Sequence, residues 1–363
     1  MKNIVSIVGA RPQFIKAFIT IHSINKVKNF KNILIHTGQH FDYSMSDIFF
    51  KELKFSQDLI KINLKYKSDR ILRLSEMISK LYLKLKKIKP DLIIVYGDTD
   101  STLAASIVSK RLDIKLMHIE AGLRSNVIDM PEEQNRFITD YLSDYLIAPT
   151  KDALENLKSY KDTKKIYNFG DVMFDSINFY KKIINSLYLK NFKKKNNLNN
   201  KYVFFSIHRD SNTEVKKIKK ILNQISKISQ NFFWPIHPKI YKIIKKNKIK
   251  IPKNIICANP LSYLDTIASI KASQYVVTDS GGIQKESYFM KKKCFVLRNE
   301  TEWNELIRLN SLKIIGNNLS IINKSKSFLK SEIIKSRVFG SGSSTKKITL
   351  LIKKLLKKNE KKK

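Results

Sequence analysis

The sequence predicts an α/β protein made of two open, doubly wound parallel sheets. Three observations carry that expectation. The 363 residues exceed the roughly 250 to 300 at which one hydrophobic core stops growing, so two domains are expected. Apolar residues make up 42% of the chain, enough for a core in each. Short apolar runs alternate with longer amphipathic stretches throughout, the pattern of parallel strands joined by crossover helices.

In the first half the apolar runs place strands at Ile4–Val8, Asn32–His36, Leu92–Tyr96, Lys115–Ile119 and Tyr145–Ala148. The clearest helix between them spans Ser68–Lys87, opened by the polar SDR and ended before Pro90. A second series follows Gly170, with strands at Tyr202–Ile207, Phe232–Ile236, Asn254–Ala258, Tyr275–Thr278 and Cys294–Leu297. The Asn- and Lys-rich FKKKNNLNN (Phe192–Asn200) reads as a turn-rich surface segment. Domains are therefore set at residues 1–172 and 173–345, facing one another, with a C-terminal helix and basic tail over 346–363.

The 70 Lys and Arg against 31 Asp and Glu give a net charge of +39, which favours anionic partners. The excess is mostly lysine, carried on helix-like stretches such as VKKIKKILNQISKIS (Val215–Ser229) and on the closing LLKKNEKKK. Solvated helix faces are the reading, because chains that grip nucleic acid interleave Arg and aromatics. No zinc-finger spacing, RNA-recognition signature or basic zipper supports specific nucleic-acid binding. Cys257 and Cys294 stand alone in separate apolar runs, where buried free thiols in a reducing cytosol are expected. The early NIVSIVGA is too short for a signal-peptide core, and no apolar run approaches the about 20 residues of a membrane span. A cytoplasmic protein without membrane insertion is expected.

Doubly wound sheets bind ligands beyond the carboxyl ends of their strands, so the residues after each apolar run come first. GARPQFIK (Gly9–Lys16) puts Arg11 at a strand exit and Lys16 about one turn into the next helix. Both are candidates for a diphosphate, although in so lysine-rich a chain Lys16 is also read as a plain surface residue. GDTDST (Gly97–Thr102) sets Asp98 at the end of IIVYG, and Thr99, Asp100 or Ser101 can cap the helix that follows, leaving Asp98 for the crevice. TDSGGIQKES (Thr278–Ser287) joins a strand to a helix through Ser280, Gly281 and Gly282, so backbone N–H groups can approach an anion closely. A plain tight turn is the competing reading of that glycine pair. HRDSN adds His208 at another strand exit, whereas His118 and His237 read as hydrogen-bonded core or loop histidines.

HIEAGLRSNVIDMPEEQNR (His118–Arg136) concentrates Glu120, Asp129, Glu132 and Glu133 in an otherwise cationic chain. Glu120 leaves a strand, and Pro131 starts a helix whose first turn carries Glu132 and Glu133. Acids are favoured there by the helix dipole, so one of the pair is expected to be structural. Three carboxylates near a cationic anion cradle suit general acid and base work on a phosphorylated substrate. No HExxH, Cys/His cluster or aspartate-rich loop points to a metal. No phosphate-binding lysine loop or GxGxxG with a downstream acid points to ATP or a nicotinamide, so no cofactor is expected.

Together GARPQFIKA, HTGQHFD, GDTDSTLA, HIEAGLRS, MPEEQNR, GDVMFDS, HRDSN, TDSGGIQKE and TEWNE, in that order, resemble the non-hydrolysing UDP-N-acetylglucosamine 2-epimerases from Val5 to about Ser344. The resemblance implies a GT-B fold, two Rossmann-like domains facing a central cleft, and a homodimer that works without cofactor. It implies inversion at C2 of a UDP-linked N-acetylhexosamine, by elimination of UDP to a glycal and its re-addition, for surface polysaccharide precursors. By motif position, Asp98, Glu120 and Glu132 would be the catalytic carboxylates, with His208 assisting at the leaving group or sugar. Arg11, Lys16, Ser280, Gly281, Gly282 and Glu286 would hold UDP, with Glu286 on the ribose, and Arg136 would orient Glu132 or touch substrate.

Three positions depart from the family pattern. Ser211 replaces a glutamate in HRDSN, Trp303 in TEWNE stands where an arginine is frequent, and QHFD replaces a loop associated with allosteric substrate binding. The GARPQFIKA and TEW combination looks most like the branch acting on UDP-2,3-diacetamido-2,3-dideoxyglucuronate, which stays open as a second substrate. A GT-B glycosyltransferase, a hydrolysing relative that releases UDP and a nucleic-acid binder compete with the epimerase expectation.

Overall fold

The computed structural model describes residues 1–39, 58–66, 68–198, 201–209 and 212–358. His40, Phe41 and Asp42 of the QHFD stretch, Asn199, Asn200, Ser211 and the last residues of the basic tail lie outside them. The chain forms two compact units, Met1–Asn178 with Arg337–Lys363, and Phe179–Ser336. The segment from Arg337 thus belongs with the first unit, where the sequence alone set 173–345 as one domain.

The first unit holds a seven-stranded parallel sheet in the order β3-β2-β1-β4-β5-β6-β7. Its strands are β1 (Lys2–Val8), β2 (Phe30–His36), β3 (Asp58–Lys61), β4 (Leu92–Tyr96), β5 (Leu116–Ile119), β6 (Tyr145–Ala148) and β7 (Lys165–Asn168). Val8 pairs with His36, and Tyr96 with Ile119, so the exits of neighbouring strands lie side by side. The helices that matter for the site are α1 (Arg11–Ile24), α2 (Arg70–Ile88), α3 (Asp100–Arg111) and α4 (Pro131–Leu142). Helix α2 begins at an Asp69 cap that accepts Leu72 N–H at 2.8 Å, and ends at Lys89, whose φ of +50° closes it. The C-terminal helix Ser344–Lys358 packs on α1. Asp175 accepts from the backbone of Ser344 and Thr345 at its start, at 3.2 and 2.7 Å, and Ser23 meets Thr349 at 2.8 Å.

The second unit holds a six-stranded parallel sheet in the order β10-β9-β8-β11-β12-β13. Its strands are β8 (Tyr202–Ser206), β9 (Asn231–Pro235), β10 (Ile255–Ala258), β11 (Val276–Thr278), β12 (Cys294–Val296) and β13 (Leu312–Ile314), and Gly281–Phe289 forms helix α5. Central strands are covered on both faces and read as unbroken apolar runs. Phe232, Phe233 and Trp234 of β9 are fully buried, each contributing on the order of 2 to 3 kcal/mol. The lysine-rich helix Val215–Ile225 buries Ile218, Ile221, Leu222 and Ile225 while Lys216, Lys219 and Lys220 face solvent.

Every strand read from the sequence is present, within a residue or two of its expected ends. Three further strands, β3, β7 and β13, were not anticipated. Each lies at a sheet edge, where one side has no neighbour and a short mixed sequence such as DLIK, KIYN or LKI suffices. Cys294 is buried as expected, but Cys257 is exposed, because β10 is likewise an edge strand. Among the described residues no helix is long and apolar enough to cross a membrane.

Candidate functional site

Each sheet reverses its winding once, between β1 and β4 in the first unit and between β8 and β11 in the second. Ligands of such sheets bind beyond the strand ends at that point. In the first unit Arg11 opens α1 at the β1 exit and is half-buried. Two residues on, Gln13 accepts from Gly9 N–H at 2.7 Å and Ala10 N–H at 3.0 Å, and its amide donates to the Tyr96 carbonyl at 2.6 Å. Gln13 therefore ties the two strand exits together. Lys16 is buried, and its ammonium pairs with the Glu120 carboxylate. The sequence places Lys16 on a diphosphate; the structure brings it to a catalytic candidate.

Glu120 sits at the β5 exit with a φ of +73°, a left-handed conformation that costs a residue with a Cβ about 1 to 2 kcal/mol. Its own N–H and that of Ala121 both reach the Ile147 carbonyl at 3.1 Å, which holds the strained turn. Gly97, facing it, has a φ of +64°, and a Cβ there would lie 3.2 Å from Glu120 Oε2. Both the backbone and the close carboxylate thus favour glycine there.

Asp98 follows Gly97 and is free of capping duty, because Thr99 takes the N-cap of α3 by accepting from Thr102 N–H. Its Oδ2 accepts from Arg136 Nη2 at 2.6 Å, and its backbone carbonyl accepts from Asn135 at 2.9 Å. Arg136 is a fork, with Nη1 on Glu133 at 2.6 Å. Glu133 is fully buried and also accepts from Ser125 N–H, Ser125 Oγ and Asn126 N–H at 3.0 to 3.1 Å. Burial alone would raise its pKa, but the Ser125 backbone and the Arg136 guanidinium outweigh burial and hold the carboxyl below its ordinary value. The adjacent Glu132 is half-buried and makes no hydrogen bond or ion pair among the described residues. One glutamate of the pair is therefore a brace and the other is available for chemistry, while Asp129 is exposed.

Two more acids are structural. Asp100 is buried and receives Arg70 at 2.6 Å, Arg73 at 3.1 Å and Asn135 at 3.1 Å. Burial opposes its charge, yet those donors, Arg70 foremost, lower its pKa. Asp140 receives Arg124 at 2.8 Å and His118 at 2.7 Å, so His118 is a satisfied core histidine, as expected. His237 caps the helix that follows it by accepting from Lys239 N–H.

In the second unit Asp279, given no role by the sequence reading, organises the candidate site. It has no exposure, and its carboxylate accepts from His208 N–H and Arg209 N–H at 3.1 Å and from Asn212 at 3.1 Å. His208 Nδ1 lies 3.0 Å from the same carboxylate while its side chain stays 44% exposed. The ring is thus aimed by Asp279 with Nε2 turned away from it. Burial works against the Asp279 charge, but His208 and the hydrogen bonds hold its pKa below the usual range. Asp279 directly follows β11, and that placement was the available signal.

Ser280 caps α5, accepting from Ile283 N–H, and Gly281 and Gly282 form the helix start. A Cβ on Gly282 would meet only the Ser280 hydroxyl at 3.9 Å, so the helix start is open there. At Gly281 a Cβ would lie 2.0 Å from Glu302, whose carboxylate is held by Arg298 at 2.8 Å. Glu286 lies on α5 and is buried. Trp303 is also buried, with the Lys285 ammonium 4.0 Å from its ring centroid, so the indole is a core element.

Among the described residues, the first unit thus presents two partnered acids at its strand exits and one unpartnered acid at the start of α4. The second presents an oriented histidine and a glycine-lined helix start. The sequence profile of the UDP-N-acetylglucosamine 2-epimerase family matches residues 22–353. A Methanococcus maripaludis protein described as a UDP-N-acetylglucosamine 2-epimerase homolog is 40% identical, covering 97% of this chain and all of that one. The UDP-2,3-diacetamido-2,3-dideoxy-D-glucuronate 2-epimerase of Pseudomonas aeruginosa is 34% identical over the same shares. The structure of the Methanocaldococcus jannaschii UDP-GlcNAc 2-epimerase, in complex with UDP-GlcNAc and UDP, superposes with a TM-score of 0.89 at 31% identity, covering 97% of this chain and 99% of that one. The two α/β units carry the GT-B-like fold of these neighbours, and the chain belongs to the UDP-N-acetylglucosamine 2-epimerase family.

Proposed function

We propose that the chain is a non-hydrolysing UDP-N-acetylglucosamine 2-epimerase that interconverts UDP-GlcNAc and UDP-ManNAc. The observation that carries the reading is the pairing of Glu120 with Lys16 and of Asp98 with Arg136, while Glu132 is left without a partner among the described residues. Inversion at an unactivated C2 needs one acid that acts as base on one face and another that delivers a proton on the other.

The C1–O bond to UDP breaks as the C2 proton leaves to a carboxylate, giving a glycal and UDP. UDP then adds back at C1 while C2 takes a proton from the opposite face. Atoms balance with no redox change, so no cofactor is called for. Glu120, with the Lys16 ammonium to balance its charge, serves as base in one direction, and Glu132 serves as the second proton carrier. Asp98, fixed by Arg136, stabilises the positive charge that develops on the ring. Ser280, Gly281 and Gly282 hold the diphosphate at the start of α5, with Arg11 as a further cation, and Glu286 accepts from the ribose. His208, aimed by Asp279, assists departure of the β-phosphate.

A second substrate, UDP-2,3-diacetamido-2,3-dideoxyglucuronate, is favoured by the 34% identical Pseudomonas aeruginosa relative. A cytoplasmic homodimer supplying surface polysaccharide precursors completes the reading. Incubation with each UDP-sugar in D₂O tests it, because deuterium should enter C2 without any acceptor and without lasting release of UDP. Transfer that requires an acceptor, or steady accumulation of free UDP, refutes it.

A further inference from the structure

His118 and Asp140 have no solvent exposure, so neither can touch a substrate. His118 Nδ1 lies 2.7 Å from Asp140 Oδ1, and Nε2 lies 2.8 Å from the Gly97 carbonyl oxygen. A carbonyl only accepts, so Nε2 carries the proton of that bond. The other Asp140 oxygen takes the Gly122 N–H at 3.2 Å and the Arg124 guanidinium at 2.8 Å.

These contacts coincide with the acid-bearing turns. Gly97 directly precedes Asp98, His118 lies two residues before Glu120, and Gly122 lies two residues after it. Gly97, Glu120 and Gly122 have φ values of +64°, +73° and +80°, so both turns are bent at the points the network grips. Gly97 N–H also donates to the Ile119 carbonyl at 3.0 Å. A buried polar network whose members are all satisfied is rigid and holds its side chains in one direction.

Resting on the epimerase reading above, we propose that His118 and Asp140 are positioning residues for C2 proton transfer, locking the Asp98 turn to the Glu120 turn. Asparagine reproduces only the Nδ1 position of histidine and glutamine only the Nε2 position, so each keeps one half of the bridge. Phenylalanine keeps neither.

The test measures C2 deuterium incorporation into UDP-GlcNAc in D₂O for wild type, H118N, H118Q, H118F and D140N, with UDP affinity by calorimetry and melting curves for each. The expected result is a kcat loss of about 10²-fold in H118F, the cost of misplacing a reacting group by about 1 Å. H118N and H118Q each recover part of it, and UDP affinity stays within about two-fold because the α5 helix start is untouched. If H118F does not fold, D140N, which keeps the side-chain volume, carries the same expectation. Folded variants that melt lower but keep the wild-type kcat overturn the proposal and leave a structural role. A wild type that exchanges C2 hydrogen with no UDP-sugar overturns the epimerase reading, and this inference with it.

Discussion

Replacing Glu133 by glutamine separates the two adjacent glutamates most sharply. Glu133 takes four donors, two from Ser125, one from Asn126 and one from Arg136. An amide in its place keeps one acceptor, turns an NH₂ toward backbone N–H groups and removes the charge opposite a guanidinium that has almost no solvent contact. Breaking a buried ion pair from one side costs about 3 to 5 kcal/mol. For a unit of this size that corresponds to a melting shift of roughly 10 °C, at ~2 to 4 °C per kcal/mol.

The pH dependence gives the refutation. The folded Glu133 carboxyl titrates below its ordinary value because the Ser125 and Arg136 contacts outweigh burial. Its stabilisation is therefore complete above the unfolded value of about 4.3 and is lost as pH falls through the folded value. Urea melts of wild type and E133Q at pH 7, 5, 4 and 3.5 should show a wide gap that narrows only below about pH 4. A gap that is small at pH 7, or equally wide at every pH, refutes the assignment of Glu133 as an ionised brace.

Four further outcomes are expected. E120Q should lower the rate of C2 deuteration by about 10²- to 10⁴-fold while calorimetry shows UDP binding within two-fold of wild type. G97A places a Cβ 3.2 Å from Glu120 Oε2 on a left-handed backbone, so it should cost about 1 to 2 kcal/mol in urea melts and lower kcat as well. G282A meets nothing closer than 3.9 Å and should melt like wild type, yet bind UDP more weakly by calorimetry if the diphosphate lies on that helix start. D175A removes the acceptor of Ser344 and Thr345 N–H and should cost about 0.5 to 2 kcal/mol, read as earlier thermal unfolding.

Interior strands were legible because burial on both faces demands nearly unbroken apolar runs, as in IVSIV, LIIVY and YVFF. The edge strands β3, β7 and β13 were not, since each is only three or four residues long, mostly half-buried or exposed, and interrupted by polar residues. Candidate residues at strand exits were legible because a doubly wound topology fixes where strands end. Composition and spacing did not say which of the two neighbouring glutamates is a brace; only the resemblance singled out Glu132. Glu132 and Glu133 are adjacent and identical, and only the direction each takes from the first turn of α4 separates them. Gln13 and Asp279 were passed over for a related reason. Both sit inside motifs that the sequence flagged, but their partners, Tyr96 for one and His208 for the other, are 83 and 71 residues away.

The docking of the Ser344–Lys358 helix on α1 has a consequence for biogenesis. A ribosome delivers α1 before its partner helix, with the whole of Phe179–Ser336 emerging in the interval. The amino-terminal sheet can form early, but the apolar face of α1 must wait for Ile348 and Ile352 to leave the exit tunnel. Nascent chains halted before Arg337 would display that uncovered face to chaperones, so the unit whose sheet emerges earlier is closed only after the other unit has been made.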